Sequence, residues 1–199
     1  MPVLTYDITF GTKKLLKLNL SHNSINELRR GVLGNFTRLQ YLDLSHNELS
    51  NLQSEEYTFD LPQNLTTILL NDNQIYKLNF TKFLKEPKFE VIDLSKNSLT
   101  EFPLTLVWNI KNGTDVRFSG NPLHCNCAAR PLKHYTMELA SLTEDLKEIA
   151  CNAPAFNKNI FLHNVEDETL QCTTDDEREM FKGLDYDKLS DVRFRDIIV

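Results

Sequence analysis

The stretch LQYLDLSHNELSNL, residues 39–52, decides the fold because related copies of it recur along the chain. Three copies align with it without a gap: LLKLNLSHNSINEL (15–28), LTTILLNDNQIYKL (65–78) and FEVIDLSKNSLTEF (89–102). A shortened copy, GTDVRFSGNPL, occupies residues 113–123. All copies share an asparagine, at intervals of 24, 26, 24 and 24 residues: Asn23, Asn47, Asn73, Asn97 and Asn121. Self-similarity at a nearly fixed period predicts a stack of equivalent structural units.

Apolar and polar residues alternate within each copy, as in Leu42, Asp43 and Leu44. This alternation predicts a short β-strand with one buried face. Further apolar residues follow the shared asparagine by two and five positions, so the chain turns and keeps sending side chains into one interior. An asparagine at such a turn can both donate and accept hydrogen bonds, which satisfies backbone groups that have lost water. One unit cannot bury its apolar face alone, so we expect neighbouring units to stack.

The period and the pattern LxxLxLxxNxL are typical of a leucine-rich repeat. We therefore predict an α/β leucine-rich-repeat solenoid, a right-handed superhelix with short parallel strands on its concave face and a disulfide-stapled C-terminal cap. The predicted segments are a partial repeat or truncated edge (1–14), about five repeats (15–123), a cysteine-rich cap (124–172) and an acidic tail (173–199).

Composition and motifs narrow the function. The 199 residues include 28 acidic and 22 basic side chains, a formal net charge of −6. Clustered basic residues are what nucleic acids and anionic membranes require, so we expect neither as a partner. No segment approaches the roughly 20 apolar residues of a membrane-spanning helix, so we expect no membrane insertion of this segment. Because glycine-rich phosphate loops, GxSxG and HExxH are absent from the sequence, we predict a protein that is not an enzyme and has no cofactor.

The four cysteines, Cys125, Cys127, Cys151 and Cys172, begin immediately after the last repeat. Four cysteines permit three pairings, and spacing does not choose among them. Cys125 and Cys127 are too close to bridge each other comfortably, so each is expected to take a distant partner. Disulfides require an oxidising compartment, whereas the alternative, a zinc site, would suit a reducing one.

Five glycosylation acceptor patterns favour the oxidising alternative and a secreted or extracellular location. They begin at Asn19, Asn35, Asn64, Asn79 and Asn112. The pair His22 and His46 occupies the same slot in adjacent repeats and could share a metal or sense acidity. Two histidines without a third ligand make a poor zinc site, so we predict no metal.

A helix is predicted over residues 131–149 from apolar residues at helical spacing. These are Leu132, Tyr135, Leu139, Leu142, Leu146 and Ile149. A stacked array exposes the leucines of its last unit, and terminal units need a cover. A helix tied down by disulfides would lie across that end as a lid.

The repeats, together with NPLHCNC (121–127), this helix-like segment and FLHNVEDETLQC (161–172), resemble the extracellular leucine-rich-repeat family with a cysteine-rich C-terminal cap. CNCAARPLKHYT (125–136) is particularly similar to the caps of insect Toll and chaoptin-like proteins. The resemblance implies disulfides that join Cys125 to Cys151 and Cys127 to Cys172. It also implies extracellular recognition of another protein, in cell adhesion or in ligand and receptor recognition, including Toll-like innate immune or developmental signalling.

The family usually begins with an N-terminal cysteine cap, which this sequence lacks. Either residues 1–14 supply a partial repeat, with Val3, Ile8 and Phe10 as cover, or upstream repeats are missing. An uncapped edge leaves the alternative of a structural or assembly fragment that forms a homodimer through this edge. A separate alternative is the ectodomain stub of a transmembrane receptor that continues past Val199.

The binding surface is predicted from the outward residues of the strands. Residues between the fixed leucines are expected to face solvent in columns about 4.8 Å apart on the concave face. Apolar and aromatic side chains among charged neighbours are typical of protein-binding centres. The residues assigned to this surface are Tyr41, Asp43, Thr67, Leu69, Val91, Asp93 and Arg117.

Overall fold

The structure is a computed structural model that describes residues 3–4, 14–29, 31–52, 61–78, 89–138 and 144–172. Its core is a parallel five-stranded sheet made of one three-residue strand from each repeat. In spatial order the strands are β2 (Lys17–Asn19), β4 (Tyr41–Asp43), β6 (Thr67–Leu69), β8 (Val91–Asp93) and β9 (Asp115–Arg117). The central residues of these strands pair in register, and the middle three, Leu42, Ile68 and Ile92, are 0% exposed. The predicted leucine-rich-repeat solenoid is confirmed.

Short strands of two or three residues form small parallel pairs outside the five-stranded sheet. β1 (Val3–Leu4) pairs with β3 (Glu27–Leu28), β5 (Asn51–Leu52) with β7 (Lys77–Leu78), and β10 (Leu123–His124) with β11 (Cys151–Ala153). Val3 lies opposite Glu27, an offset of 24 residues that equals the repeat period. Residues 3–4 therefore occupy the place of the same strand in a preceding repeat, whereas Ile8 and Phe10 lie outside the described residues.

The asparagine side chains bind each repeat to the one before it. Asn73 Nδ2 donates to Leu70 O in its own repeat and to Leu44 O in the preceding repeat, both at 3.0 Å. Its Oδ1 accepts from Leu49 N at 3.0 Å. Equivalent asparagines make the same cross-repeat bonds and are also buried: Asn47, Asn97 and Asn121. One amide thus closes a turn and joins two repeats.

The first repeat is held less tightly. Asn23 is exposed, and among the described residues its amide bonds only to Leu20 O and Ser21 O of its own repeat. Leu18 and Leu20 are only partly buried, and Leu16 is 44% exposed. The apolar burial that stabilises the inner repeats is therefore incomplete here.

A second set of hydrogen bonds closes the turn after three of the five strands, whereas the third repeat has Leu69 at the acceptor position. Asp43 Oδ1 accepts from Ser45 N at 3.0 Å and from Ser45 Oγ at 2.6 Å. Asn19 with Ser21, and Asp93 with Ser95, repeat this arrangement. The last repeat has Arg117 at this position, which is a cation without an acceptor atom.

The cap supplies the missing acceptor. Asp145 Oδ2 accepts from Phe118 N at 2.5 Å and from Ser119 N at 3.0 Å, and its Oδ1 accepts from Ser119 Oγ. A carboxylate from the cap therefore closes the turn of the final strand and fastens the cap to the array.

The cap contains two described helices on the end of the array. They are α2 (Arg130–Glu138) and α3 (Glu144–Lys147), and α2 packs near α1 (Leu104–Lys111) of the last repeat. The predicted single helix to residue 149 is wrong at its end, because helical structure stops at Lys147 and the chain turns into the β11 segment. Buried lid residues are Leu132, Leu146 and Ile149, whereas the Tyr135 side chain, Leu139 and Leu142 lie outside the described part.

Two disulfides tie the cap together. One joins Cys125 to Cys151, with Cα atoms 5.6 Å apart, and the other joins Cys127 to Cys172, with Cα atoms 5.0 Å apart. The pairs are those that the family resemblance implies. Both crosslinks start from the segment directly after the last repeat, so they hold the cap where it covers the core.

We expect Asn73→Ala to lower the free energy of unfolding by about 1–3 kcal/mol, because the buried Leu49 N loses its acceptor. Leu44 O and Leu70 O each lose one of two amide donors. Asn23→Ala is the matched control and is expected to cost less than about 1 kcal/mol, because its bonds lie within one exposed turn. Urea unfolding followed by circular dichroism measures both losses. Equal losses would contradict the cross-repeat role.

Asp145→Ala is expected to destabilise the chain by about 1–3 kcal/mol, since Phe118 N, Ser119 N and Ser119 Oγ lose a charged acceptor. The neighbouring exposed Glu144 provides the control, and Glu144→Ala should change stability by no more than about 0.5 kcal/mol. Thermal unfolding of the two variants compares them. Identical melting curves would show that the cap docks without this carboxylate.

Candidate protein-binding surface

The outward side chains of the five strands form two columns, which we call the concave face. The first column is Lys17, Tyr41, Thr67, Val91 and Asp115, and the second is Asn19, Asp43, Leu69, Asp93 and Arg117. Adjacent strands in a sheet lie about 4.8 Å apart, so each column is a continuous row of neighbouring side chains. The paired backbones fix these positions before any partner binds.

The centre of the concave face is mostly apolar, with Thr67 as its one hydroxyl-bearing residue. Thr67, Leu69 and Val91 lie on the middle strands and are each partly buried. Tyr41 extends this strip by one strand, and the Lys17 Nζ atom lies 5.9 Å from the centre of its ring. A partly exposed apolar strip beside a cation is the composition of a protein-binding centre with a polar rim.

The expectation that Asp43 and Asp93 present their side chains openly to solvent is wrong. Each residue is only 7% exposed. Their carboxylates turn back onto the chain and accept the hydrogen bonds of Ser45 and Ser95. These aspartates shape the surface from beneath and leave little area for a partner.

Arg117 is exposed at the C-terminal end of the concave face. Its Nη2 atom lies 2.8 Å from Asp115 Oδ2, and its Nη1 atom lies 3.5 Å from Asp93 Oδ2. The hydrogen bond to Asp115 is the main cause that raises the pKa of Arg117 above its ordinary value. The guanidinium is therefore held in place as part of a charged rim.

Lys17 and Asp115 also lie on the concave face, although the sequence-based assignment left them out. Lys17 approaches the Tyr41 ring, and Asp115 orients Arg117. Both belong to the first column, so their alignment with Tyr41 in the repeat register was the signal that could have found them.

Burial of the Tyr41 hydroxyl is the main cause that raises the pKa of Tyr41 above 10.0, and the Asp43 charge and a hydrogen bond with Asp43 add to it. At neutral pH the phenol is protonated, and its hydroxyl is engaged in the hydrogen bond with Asp43.

Four of the five glycosylation acceptors are described, and all four are exposed: Asn19, Asn35, Asn64 and Asn112. Asn79 lies outside the described residues. Asn19 differs from the others because it stands on the concave face, where its Nδ2 donates to Asp43 Oδ2 at 3.2 Å. A sugar on Asn19 would project beside Tyr41 at the first strands of this face.

The histidine pair lies outside the concave face, at the corner after the strands. The rings of His22 and His46 stack with centroids 4.1 Å apart and planes 9° apart, and His46 Nε2 lies 3.8 Å from Asp72 Oδ2. Parallel rings direct their nitrogens along parallel lines, whereas zinc needs ligands that converge. Among the described residues, no group of three or more His, Cys, Asp or Glu side chains is arranged to hold a metal.

Within the described ranges, none of the helices combines the length and apolar character needed to cross a membrane.

Comparisons with known proteins agree with the fold. The leucine-rich repeat family model matches residues 5–49. Human leucine-rich repeat and fibronectin type III domain-containing protein 1 is 30% identical over 139 residues, covering 66% of this chain and 17% of that protein. Mouse leucine-rich repeat serine/threonine-protein kinase 1 is 32% identical over 130 residues, covering 62% of this chain and 6% of that protein. The chain thus spans less than a fifth of either relative.

A crystal structure of human 5T4 (Wnt-activated inhibitory factor 1, trophoblast glycoprotein) is also similar, with a TM-score of 0.49 and 21% sequence identity. The match covers 81% of this chain and 50% of that chain.

We expect Asp43→Asn to lower the pKa of Tyr41 but not to restore it fully to 10.0, because burial, the largest cause of the rise, remains. The turn should survive this change, since Asn19 makes the same bonds to Ser21 in the first repeat. Ultraviolet difference spectroscopy across alkaline pH follows the phenolate, and Tyr41→Phe identifies its signal. A Tyr41 titration that does not move in Asp43→Asn would contradict the contact.

Proposed function

We propose that this chain is an extracellular protein-binding module and that its concave face holds another protein. The observation that carries this proposal is the apolar strip of Thr67, Leu69 and Val91, which a rigid hydrogen-bonded scaffold holds partly open to solvent. Aromatic and apolar side chains at the centre of such a surface supply most of the binding energy when a partner removes them from water.

The rigidity of the scaffold supports this proposal. Asn73 and Asn97 each bond to the backbone of the preceding repeat, so the third repeat is held on both of its sides. A surface that is ordered before binding loses little conformational entropy when the partner docks, so more of the contact energy remains as affinity.

The charged residues around the strip favour binding over catalysis. The Asp43 and Asp93 carboxylates accept bonds within their turns, and Asp115 pairs with Arg117. These groups are engaged in holding the surface, and an open sheet does not shield reacting groups from water in the way acid-base catalysis requires.

The chemistry of the cap and the surface supports an extracellular location. Disulfides such as Cys125–Cys151 persist in oxidising compartments, and glycosylation acceptors are used in the secretory pathway. The resemblance of the cap sequence to Toll and chaoptin-like proteins extends the proposal to adhesion or receptor recognition at the cell surface.

The proposal predicts that a partner found on an array of purified secreted and cell-surface proteins loses affinity for Leu69→Arg and Val91→Arg. Both changes put a charge into the apolar strip, and a loss of about 2 kcal/mol, roughly 30-fold in Kd, is expected at a binding centre. Surface plasmon resonance measures the change. Tyr76→Arg is the control because Tyr76 is 52% exposed but does not belong to the concave face, and all three variants should keep the melting temperature.

A partner that binds Leu69→Arg and Val91→Arg as tightly as the unchanged chain would overturn the concave face as the binding surface. Sedimentation separates self-association from this proposal. A dimer that Leu16→Arg abolishes and Leu69→Arg leaves intact would favour assembly through the N-terminal edge, where Leu16 is 44% exposed.

A further inference from the structure

The ends of the five strands line two opposite sides of the sheet, and these two sides differ in the side chains that they carry. All five strands are parallel, so the chain enters every strand at one edge, the leading edge, and leaves at the opposite edge, the trailing edge. Asn64 lies three residues before β6 and Asn112 three residues before β9. With β8 between these strands, the two asparagines lie on one edge about two strand spacings apart, roughly 10 Å.

Asn35 belongs to the same edge. Its acceptor triplet is residues 35–37, and Asn64 Nδ2 donates to Thr37 O of that triplet at 2.6 Å. Two acceptor triplets from neighbouring repeats are therefore in direct contact. Asn35, Asn64 and Asn112 are all exposed, so none is withdrawn into the core.

The trailing edge contains a different column, formed by the residue that precedes each shared asparagine. It consists of His22, His46, Asp72, Lys96 and Gly120, all with positive φ. Neighbours in this column contact one another: His22 stacks on His46, and Asp72 lies 3.6 Å from Lys96. No glycosylation acceptor triplet of the sequence starts in this column or in the two residues after each shared asparagine.

We propose that Asn35, Asn64 and Asn112 carry N-linked glycans that together cover the leading edge of the sheet. The inference rests on the extracellular location in the proposed function. N-linked glycans are bulky and strongly hydrated. Glycans attached to asparagines on adjacent and next-nearest repeats would therefore cover one continuous side of the sheet. A protein partner then approaches the concave face from the trailing edge, where the column of charged and imidazole side chains remains accessible.

The experiment uses the full chain secreted from a eukaryotic host. Peptide mapping by mass spectrometry reads the occupancy of each acceptor. Hydroxyl-radical footprinting is then compared before and after enzymatic removal of the N-linked sugars. Trp108 reports on the leading edge because its carbonyl accepts from Asn112 Nδ2 at 2.7 Å and its side chain is partly exposed. Tyr76 is 52% exposed and follows Asp72 of the trailing-edge column by four residues, so it is the reporter for that side. Tyr41 reports on the concave face.

The expected result is occupancy at all three asparagines and a loss of protection of Trp108 on deglycosylation, with Tyr76 unchanged. Unoccupied Asn64 and Asn112, or Trp108 labelling that deglycosylation does not alter, would overturn the inference. Asn112→Gln alone should remove most of the Trp108 protection, because this acceptor lies nearest.

An engineered acceptor provides the matched positive control. Lys96→Asn creates an acceptor triplet over residues 96–98 on the trailing edge, and asparagine tolerates the φ of 53° at this position. The added sugar should protect Tyr76, and the double change Lys96→Asn with Ser98→Ala should not. Protection of Trp108 by this added sugar would show that the two edges are not separate, against the inference.

The outcome at Asn19 separates this inference from the proposed function. If Tyr41 is protected from labelling in the glycosylated chain and Asn19→Gln abolishes this protection, a glycan on Asn19 covers the first strands of the concave face. That result would count against the concave face as the binding surface. The Trp108 response would still support the covered leading edge.

Discussion

The hydrogen bonds of the buried asparagine amides are the interaction on which the rest of the structure depends. Asn73 uses its NH₂ group for carbonyls in two repeats and its oxygen for a backbone NH of the preceding one. A hydrocarbon at this site would fill the space but leave the buried Leu49 N without its acceptor. Leu44 O and Leu70 O would each keep only the donor from a neighbouring asparagine. The stacking of the leucines and the register of the strands both require that these turns stay closed, so the ordered concave face depends on these asparagine bonds.

The two ends of the array show what happens where the repeat pattern runs out. At the first repeat, Asn23 bonds only within its own turn among the described residues, and nearby leucines are incompletely covered. At the last repeat, Arg117 replaces the acceptor that closes the turn, and Asp145 of the cap provides one from outside the array. The cap is thus more than an apolar cover, because it completes the hydrogen bonding of the final unit and is itself fixed by two disulfides.

The inward residues and the turn residues stabilise this scaffold, so the outward residues can change to suit a different partner. Thr67, Leu69 and Val91 make no turn bonds of the kind that engage Asp43 and Asp93, so their side chains are free to define a partner. The proposed sugars on the leading edge would add a second level of selection by limiting the directions of approach. Affinity would then come from the apolar strip. Specificity would come from the charged rim and from the limited directions in which a partner can reach the strip.

The sequence by itself determined the repeat, its period, the alternation within the strands, the shared asparagines and the clustering of cysteines after the last repeat. These features are local or strictly periodic, so neighbouring residues suffice to detect them. Only the tertiary structure decided that Asp43 and Asp93 fold back onto serines, that Asp115 holds Arg117, and that helical structure in the cap ends at Lys147. It alone brought Asp145 to Ser119, 26 residues away. Such contacts depend on which chain segments meet in space. A polar side chain can bond either to water or to a distant backbone group, and the residues next to it in the sequence do not indicate which.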